Sequence, residues 1–195
     1  PEEQYLKQMK AHQYAPPTEV GGEAYPYQRT SGGSGVYLRH TWGDICYGLV
    51  PNASENSTVY ATAWVHSDAA TTAGLIFETQ NYSRSEADVA PQQGTWDYKG
   101  SRLWVNGEAI APPRWQNAVG QRNIDIPLTN ENAASRPPLQ IQLQKGWNQI
   151  LIKLPIGHFT LPEIRLNKWM FAAAITTPDG SKALPNLQYA KPSLK

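Results

Sequence analysis

The alternation of apolar and polar residues between positions 139 and 155 is the clearest structural signal in the chain. Leu139–Leu143 alternates leucine and isoleucine with glutamine, and the alternation resumes in Asn148–Leu154, after Lys145-Gly146. A period of two sends successive side chains to opposite faces of a strand. We therefore predict two β-strands joined by a tight glycine-containing turn, forming a hairpin. Because an isolated hairpin is marginally stable in water, its apolar face requires a facing sheet.

The same period recurs along the rest of the chain. Ser57–Ser67 is the longest alternation, and its small apolar residues on one face oppose aromatic and polar residues on the other. This pattern predicts a strand that is covered in part on both faces. Arg102–Ile110 contains Asn106-Gly107, the preferred pair for a type I′ hairpin turn. Further strands are predicted at Val36–Trp42, Tyr47–Val50, Ala73–Thr79, Lys168–Ile175 and Leu187–Tyr189.

About eight strands with antiparallel connections predict an all-β fold, an antiparallel jelly-roll β-sandwich. The 16 prolines and 15 glycines favour short strands linked by turns over a helical bundle. Glu2–His12 differs, because it combines helix-forming residues with apolar residues at helical spacing. We therefore predict that residues 1–20 are a linker with a short helix and that residues 21–195 form the β-sandwich module.

Composition and charge exclude several functional classes. The net charge is +1, from 17 basic and 16 acidic residues, and no lysine and arginine cluster is interleaved with aromatic residues. Nucleic-acid binding is therefore not expected. No apolar run reaches the roughly 18–20 residues of a membrane span. Cys46 is the single cysteine, which excludes an internal disulfide and favours a buried, inert thiol. Because the chain begins at Pro1, we expect a processed protein or an excised fragment.

The common catalytic motifs do not occur in the sequence. A nucleophile elbow, H-E-x-x-H, C-x-x-C and a dinucleotide-binding fingerprint are all missing, so we do not expect the chain itself to be an enzyme. Glycoside hydrolysis requires two carboxylates about 5–10 Å apart. A small hydrolase with an unrecognised carboxylate pair is therefore an alternative, with its acids drawn from Asp44, Asp68, Glu78, Asp97 or Asp125.

Two long segments without periodicity, residues 80–100 and 111–135, carry the candidate ligand chemistry. Aromatic faces stack on sugar C–H groups, and arginine and asparagine side chains donate hydrogen bonds to hydroxyls. The predicted carbohydrate contacts are Trp96, Tyr98, Arg114, Trp115, Asn117 and Arg122. In the alternative interpretation, these aromatic residues pin the long loops to the body of the fold or pack on a neighbouring domain.

The first of these loops also contains three acidic residues, Glu86, Asp88 and Asp97. They could bind a structural Ca²⁺, which prefers several oxygen ligands. The alternative is that they are solvated loop charges, and no other cofactor is expected.

Three segments resemble a known family: Ser101–Pro113 (SRLWVNGEAIAPP), Gly146–Leu154 (GWNQILIKL) and Lys168–Ala190 (KWMFAAAITTPDGSKALPNLQYA). Together they are similar to the galactose-binding-like β-sandwich modules of bacterial, Bacteroidetes-type glycoside hydrolases, especially β-N-acetylhexosaminidase-like enzymes. The resemblance implies a non-catalytic accessory module that binds carbohydrate or braces the adjacent catalytic domain. Such a module would be exported to the periplasm or the cell surface. A surface adhesion or assembly domain is a further alternative.

Overall fold

The structure is a computed structural model that describes residues 2–11, 19–20, 23–24, 35–39, 48–50, 52–79, 91–115, 137–159 and 169–189. Within these ranges, one helix is followed by eleven strands, and every strand pair is antiparallel. The elements are α1 (Glu2–Lys10), β1 (Glu19–Val20), β2 (Glu23–Ala24), β3 (Gly35–Arg39), β4 (Ser57–Ser67), β5 (Thr71–Glu78), β6 (Arg102–Val105), β7 (Glu108–Ala109), β8 (Leu139–Leu143), β9 (Gly146–Ile156), β10 (Trp169–Thr176) and β11 (Gln188–Tyr189).

Two sheets enclose one hydrophobic core. The four-stranded sheet has the order β3-β10-β5-β8, the five-stranded sheet has the order β11-β4-β9-β6-β7, and β1 and β2 pair separately. The core cluster draws buried side chains from both larger sheets, including Leu75 and Ile141 from the first and Val65 and Leu154 from the second. The prediction of an all-β sandwich is therefore confirmed at this level, while the jelly-roll connectivity stays a prediction.

The central pair of the five-stranded sheet is β4 with β9. The two strands stay in register from Ser57 opposite Ile156 to Ser67 opposite Gly146. The bounds predicted for the Ser57–Ser67 strand are confirmed. One face of β4 contributes to the core, whereas its other face carries Tyr60 and Trp64. Both faces of this strand are thus covered in part, as the alternation predicted.

The predicted hairpin between positions 139 and 155 is wrong, although both of its strands form. β8 pairs with β5, whereas β9 pairs with β4 and β6, so the two strands lie in different sheets. Their apolar residues, such as Ile141 and Ile152, join the same core from opposite sides. The turn before Gly146, which has a φ of 94°, carries the chain from one sheet to the other. Alternation identifies a strand, but it does not identify the partner of that strand.

The Asn106-Gly107 hairpin is confirmed. β6 and β7 pair with Val105 opposite Glu108. Asn106 and Gly107 have φ values of 52° and 84°, and a type I′ turn requires a positive φ at both central residues.

Four of the remaining predicted strands are recovered with small shifts, as β3, β5, β10 and β11. β5 begins two residues before the predicted Ala73, and β10 and β11 begin one residue late. Residues 48–50 form no named strand, but the amides of Leu49 and Val50 donate to the carbonyls of Tyr37 and Leu38 on β3 (3.0 and 2.8 Å). Residues 40–47, with Cys46, lie outside the described residues.

Helix α1 packs on the outer face of the five-stranded sheet, the face turned away from the core. Leu6 contacts the cluster formed by Trp104 and Leu151. The Glu2 carboxylate lies 2.7 Å from Lys153 Nζ and 3.4 Å from Arg102 Nη1. Acidic residues in the first turn also suit the helix dipole. No helix among the described residues is long and apolar enough to cross a membrane.

Candidate functional site

The loop that precedes β6 is organised around Asp97, whose side chain is buried. One carboxylate oxygen accepts the backbone N–H groups of Lys99 (2.8 Å) and Ser101 (3.1 Å). The other accepts the hydroxyls of Thr79 and Ser101, each at 2.6 Å. Because four protein donors share its two oxygens, Asp97 serves as an anchor that fixes the loop to the end of β5.

Two of the predicted carbohydrate contacts, Trp96 and Trp115, lie in the interior, with 5% and 3% of their surface exposed. The Trp96 ring packs edge-to-face on Phe77, with the ring centroids 5.0 Å apart. Trp115 Nε1 donates to the carbonyl of Thr95 (2.9 Å), and the Gln93 amide binds both the N–H and the C=O of Trp115 (3.0 and 2.7 Å). These contacts match the alternative interpretation, in which the aromatic residues pin the long loops to the fold.

Tyr98 and Arg114 are the predicted contacts that the structure places at the surface. Tyr98 is 59% exposed, and it lies between buried Asp97 and half-buried Lys99, whose ammonium donates to the carbonyl of Thr79 (3.2 Å). Arg114 is exposed next to buried Trp115. The loop before β6 thus presents one phenol, and the segment after β7 presents one guanidinium.

The other predicted site residues lie outside the described part of the chain. These are Asn117 and Arg122 of the carbohydrate set, and Glu86 and Asp88 of the calcium set. Both oxygens of Asp97, the third candidate calcium ligand, already accept protein hydrogen bonds. No group of three histidine, cysteine, aspartate or glutamate side chains with the spacing of a metal site occurs within the described ranges. The Ca²⁺ prediction stays a prediction.

A second polar region lies on the outer face of the five-stranded sheet, and sequence reasoning did not single it out. Trp64 and His66 of β4 stand opposite Gln149 and Trp147 of β9. The four side chains, termed here the outer-face site, share one side of the sheet. Trp64 and Gln149 are each 4% exposed, whereas His66 and Trp147 are half-buried and meet edge-to-face with ring centroids 5.2 Å apart.

The polar atoms of the outer-face site are incompletely hydrogen-bonded. The Thr62 hydroxyl donates to the carbonyl of Ile150 (3.2 Å), so its oxygen is left to accept Gln149 Nε2 (3.1 Å). This assigns the two ends of the Gln149 amide. Gln149 Oε1, Trp64 Nε1 and His66 Nδ1 are buried and have no hydrogen-bond partner in the described structure. His66 Nδ1 lies 3.4 Å from the Asp68 carboxylate, without hydrogen-bond geometry.

The buried side chain of Asn148 lies where the chain crosses from the four-stranded sheet to the five-stranded sheet, and both ends of its amide are hydrogen-bonded. Asn148 Oδ1 accepts the N–H of Gln144 and the Asn106 amide, both at 2.8 Å. Asn148 Nδ2 donates to the carbonyls of Gln144 (2.9 Å) and Gly146 (3.1 Å). Asn106 Oδ1 in turn accepts the N–H of Gln149 (2.9 Å). These bonds join the Asn106-Gly107 hairpin to the Gly146-Trp147-Asn148 segment, so both segments have a structural role.

Comparison with known proteins links the chain distantly to a glycoside hydrolase. Over 125 residues, 61% of this chain, it is 29% identical to a glycogen debranching enzyme from Dickeya chrysanthemi. The match spans 16% of the length of that enzyme. No protein-family model and no solved structure matches the chain.

Proposed function

We propose that this chain is a non-catalytic accessory module of an exported glycoside hydrolase, with a galactose-binding-like jelly-roll fold, that binds carbohydrate or braces the catalytic domain. The observation that carries the proposal is the partial match to the glycogen debranching enzyme. It covers 61% of this chain but 16% of the relative, which is the proportion of one module in a larger enzyme. The two-sheet sandwich around one core fits a module that folds as a unit.

The loop anchored by Asp97 supports the carbohydrate-binding version. Tyr98 gives this loop an exposed aromatic face, and Arg114, in the segment after β7, is an exposed planar donor; both kinds of group contact saccharides in many sites. The buried indoles and the four hydrogen bonds of Asp97 hold the loop in place before any ligand arrives. Such preorganisation lowers the entropic cost of binding.

Isothermal titration calorimetry with glycogen, maltotriose and N-acetylglucosamine tests this version. Tyr98→Ala should weaken binding by roughly tenfold, which corresponds to about 1.4 kcal/mol. Tyr189→Ala is the matched control, because Tyr189 is 61% exposed on β11, at the edge of the five-stranded sheet. Equally strong binding by wild type and Tyr98→Ala would show that the loop anchored by Asp97 does not bind the saccharide. If the wild type binds no saccharide, the bracing function alone is left.

A chromogenic glycoside panel tests the non-catalytic part. The proposal predicts no turnover by the purified chain. Turnover that disappears when a pair of acidic residues is replaced would contradict it and favour the small hydrolase. Asp97 is a poor candidate for such a pair, since both of its oxygens hold the loop together.

A further inference from the structure

We propose that the outer-face site, formed by Trp64, His66, Trp147 and Gln149, is a second binding site, and that its ligand is a neutral saccharide. The inference rests on the proposed function in that the parent enzyme acts on carbohydrate. It differs in location, because the site lies on the sheet face and uses none of the loop residues around Tyr98.

Two atoms without hydrogen-bond partners among the described residues lie at the floor of the site. Trp64 Nε1 is a buried donor and Gln149 Oε1 is a buried acceptor, and neither has a partner in the described structure. A buried polar group without a hydrogen bond costs about 1–3 kcal/mol. Residues directly opposite on antiparallel strands have their Cβ atoms about 4.5–5.5 Å apart, and Trp64 and Gln149 are such a pair. A hydroxyl both accepts and donates, so one hydroxyl that displaces the side chains covering these two buried atoms can accept from Trp64 and donate to Gln149.

The rim of the site combines aromatic and polar side chains. Trp147 is half-buried with its ring held by the edge-to-face contact with His66. A partly exposed indole suits the C–H face of a sugar ring. His66 and the Asp68 carboxylate, which is 71% exposed, add polar groups for further hydroxyls. An aromatic wall next to donors and acceptors favours a polyhydroxyl ligand over a purely apolar one.

The charges around the site favour a neutral ligand over an anionic one. The strands place two cationic side chains on this face, Lys153 and Arg102. Both pair with Glu2 in the first turn of α1. Asp68, beside the site, carries a carboxylate. This carboxylate would repel an anionic saccharide, whereas it can accept hydrogen bonds from a neutral one.

A single buried water has the same hydrogen-bonding chemistry as one sugar hydroxyl. The experiment must therefore distinguish a saccharide from a water. Indole N–H resonances in ¹H–¹⁵N NMR spectra do so, because Trp64 Nε1 is itself the reporter. Trp64→Phe identifies its resonance by deletion.

Titration with maltotriose, cellotriose and N-acetylglucosamine to tens of millimolar should shift the Trp64 and Trp147 resonances saturably for at least one probe. The resonances of Trp104, under α1, and Trp169, in the core, should stay unchanged. Trp64→Phe and Gln149→Leu should each weaken binding by roughly tenfold. The matched control Trp104→Phe should not weaken it, and thermal melting verifies that each variant is folded.

Three results would overturn the inference. In the first, the Trp64 resonance would not respond to any probe. In the second, it would show a nuclear Overhauser contact with a long-lived water and with nothing else. Alternatively, saccharide binding is abolished by Tyr98→Ala and unaffected by Trp64→Phe, which leaves the proposed function standing and this site refuted. Absence of all saccharide binding would refute this site and the carbohydrate-binding version together, but not the bracing function.

Discussion

Asn148 and Gln149 are adjacent amides on β9 that face opposite sides of the same sheet. Asn148 is completely buried, and both ends of its amide are paired with the turn and the neighbouring hairpin. Gln149 is 4% exposed, and its Nε2 reaches Thr62 while its Oε1 has no partner in the described structure. The comparison separates two uses of a buried polar group. A paired amide replaces backbone hydrogen bonds and holds the fold, whereas an unpaired one lowers stability unless something binds to it.

Replacing the paired amide should have the largest effect. Asn148→Ala leaves the N–H and C=O of Gln144 and the Asn106 amide without their partner. We expect the free energy of unfolding to fall by about 3 kcal/mol, measured by urea denaturation. A loss below about 1 kcal/mol would show that water replaces these bonds and that the crossing does not depend on them.

The second paired group, Asp97, should follow closely. Asp97→Asn keeps the size of the side chain but turns one acceptor into a donor that faces hydroxyl and N–H groups. We expect a loss of about 2 kcal/mol in the free energy of unfolding, together with faster amide hydrogen exchange at Lys99 and Ser101. Unchanged exchange at these two amides would mean that the loop is held by its buried indoles alone.

Replacing the unpaired amide should cost little. Gln149→Leu removes the unpaired Oε1 and gives up one hydrogen bond with Thr62. We expect the free energy of unfolding to change by less than about 1 kcal/mol, in the same urea experiment. A cost equal to that of Asn148→Ala would erase the distinction between the two amides.

Asp179 is hydrogen-bonded but exposed, so replacing it should have the smallest effect on the free energy of unfolding. The Thr177 hydroxyl, followed by the backbone and side chain of Ser181, lowers its pKa from 3.8 to about 2. Because the folded-state pKa is the lower one, the stabilisation is present above pH 3.8 and is lost as the pH falls through about 2. Stability curves should therefore differ most between wild type and Asp179→Asn above pH 3.8 and converge near pH 2. A difference that persists unchanged at pH 2 would assign the effect to packing.

The sequence predicted the strands better than it predicted their partners. The Ser57–Ser67 strand and the Asn106-Gly107 turn are local features, because alternation and a required positive φ are encoded within a few residues. Leu139–Leu143 and Gly146–Ile156 lie in different sheets, and the turn between them is bridged by the side chain of Asn148, which no periodicity reveals.

The candidate site shows the same limit. Trp96 and Trp115 lie in segments without periodicity, so their burial depends on tertiary contacts with Phe77, Thr95 and Gln93. Alternation does place Trp64 and His66 on one face of β4. It does not show that Gln149 stands opposite Trp64, because this requires the register of β4 with β9.

The most direct test of the distinction between paired and unpaired amides is a saccharide titration of Gln149→Leu, followed through the Trp64 indole resonance. We predict that the variant keeps wild-type stability to within about 1 kcal/mol while its saccharide affinity falls roughly tenfold. Wild-type affinity in a stably folded Gln149→Leu would contradict it.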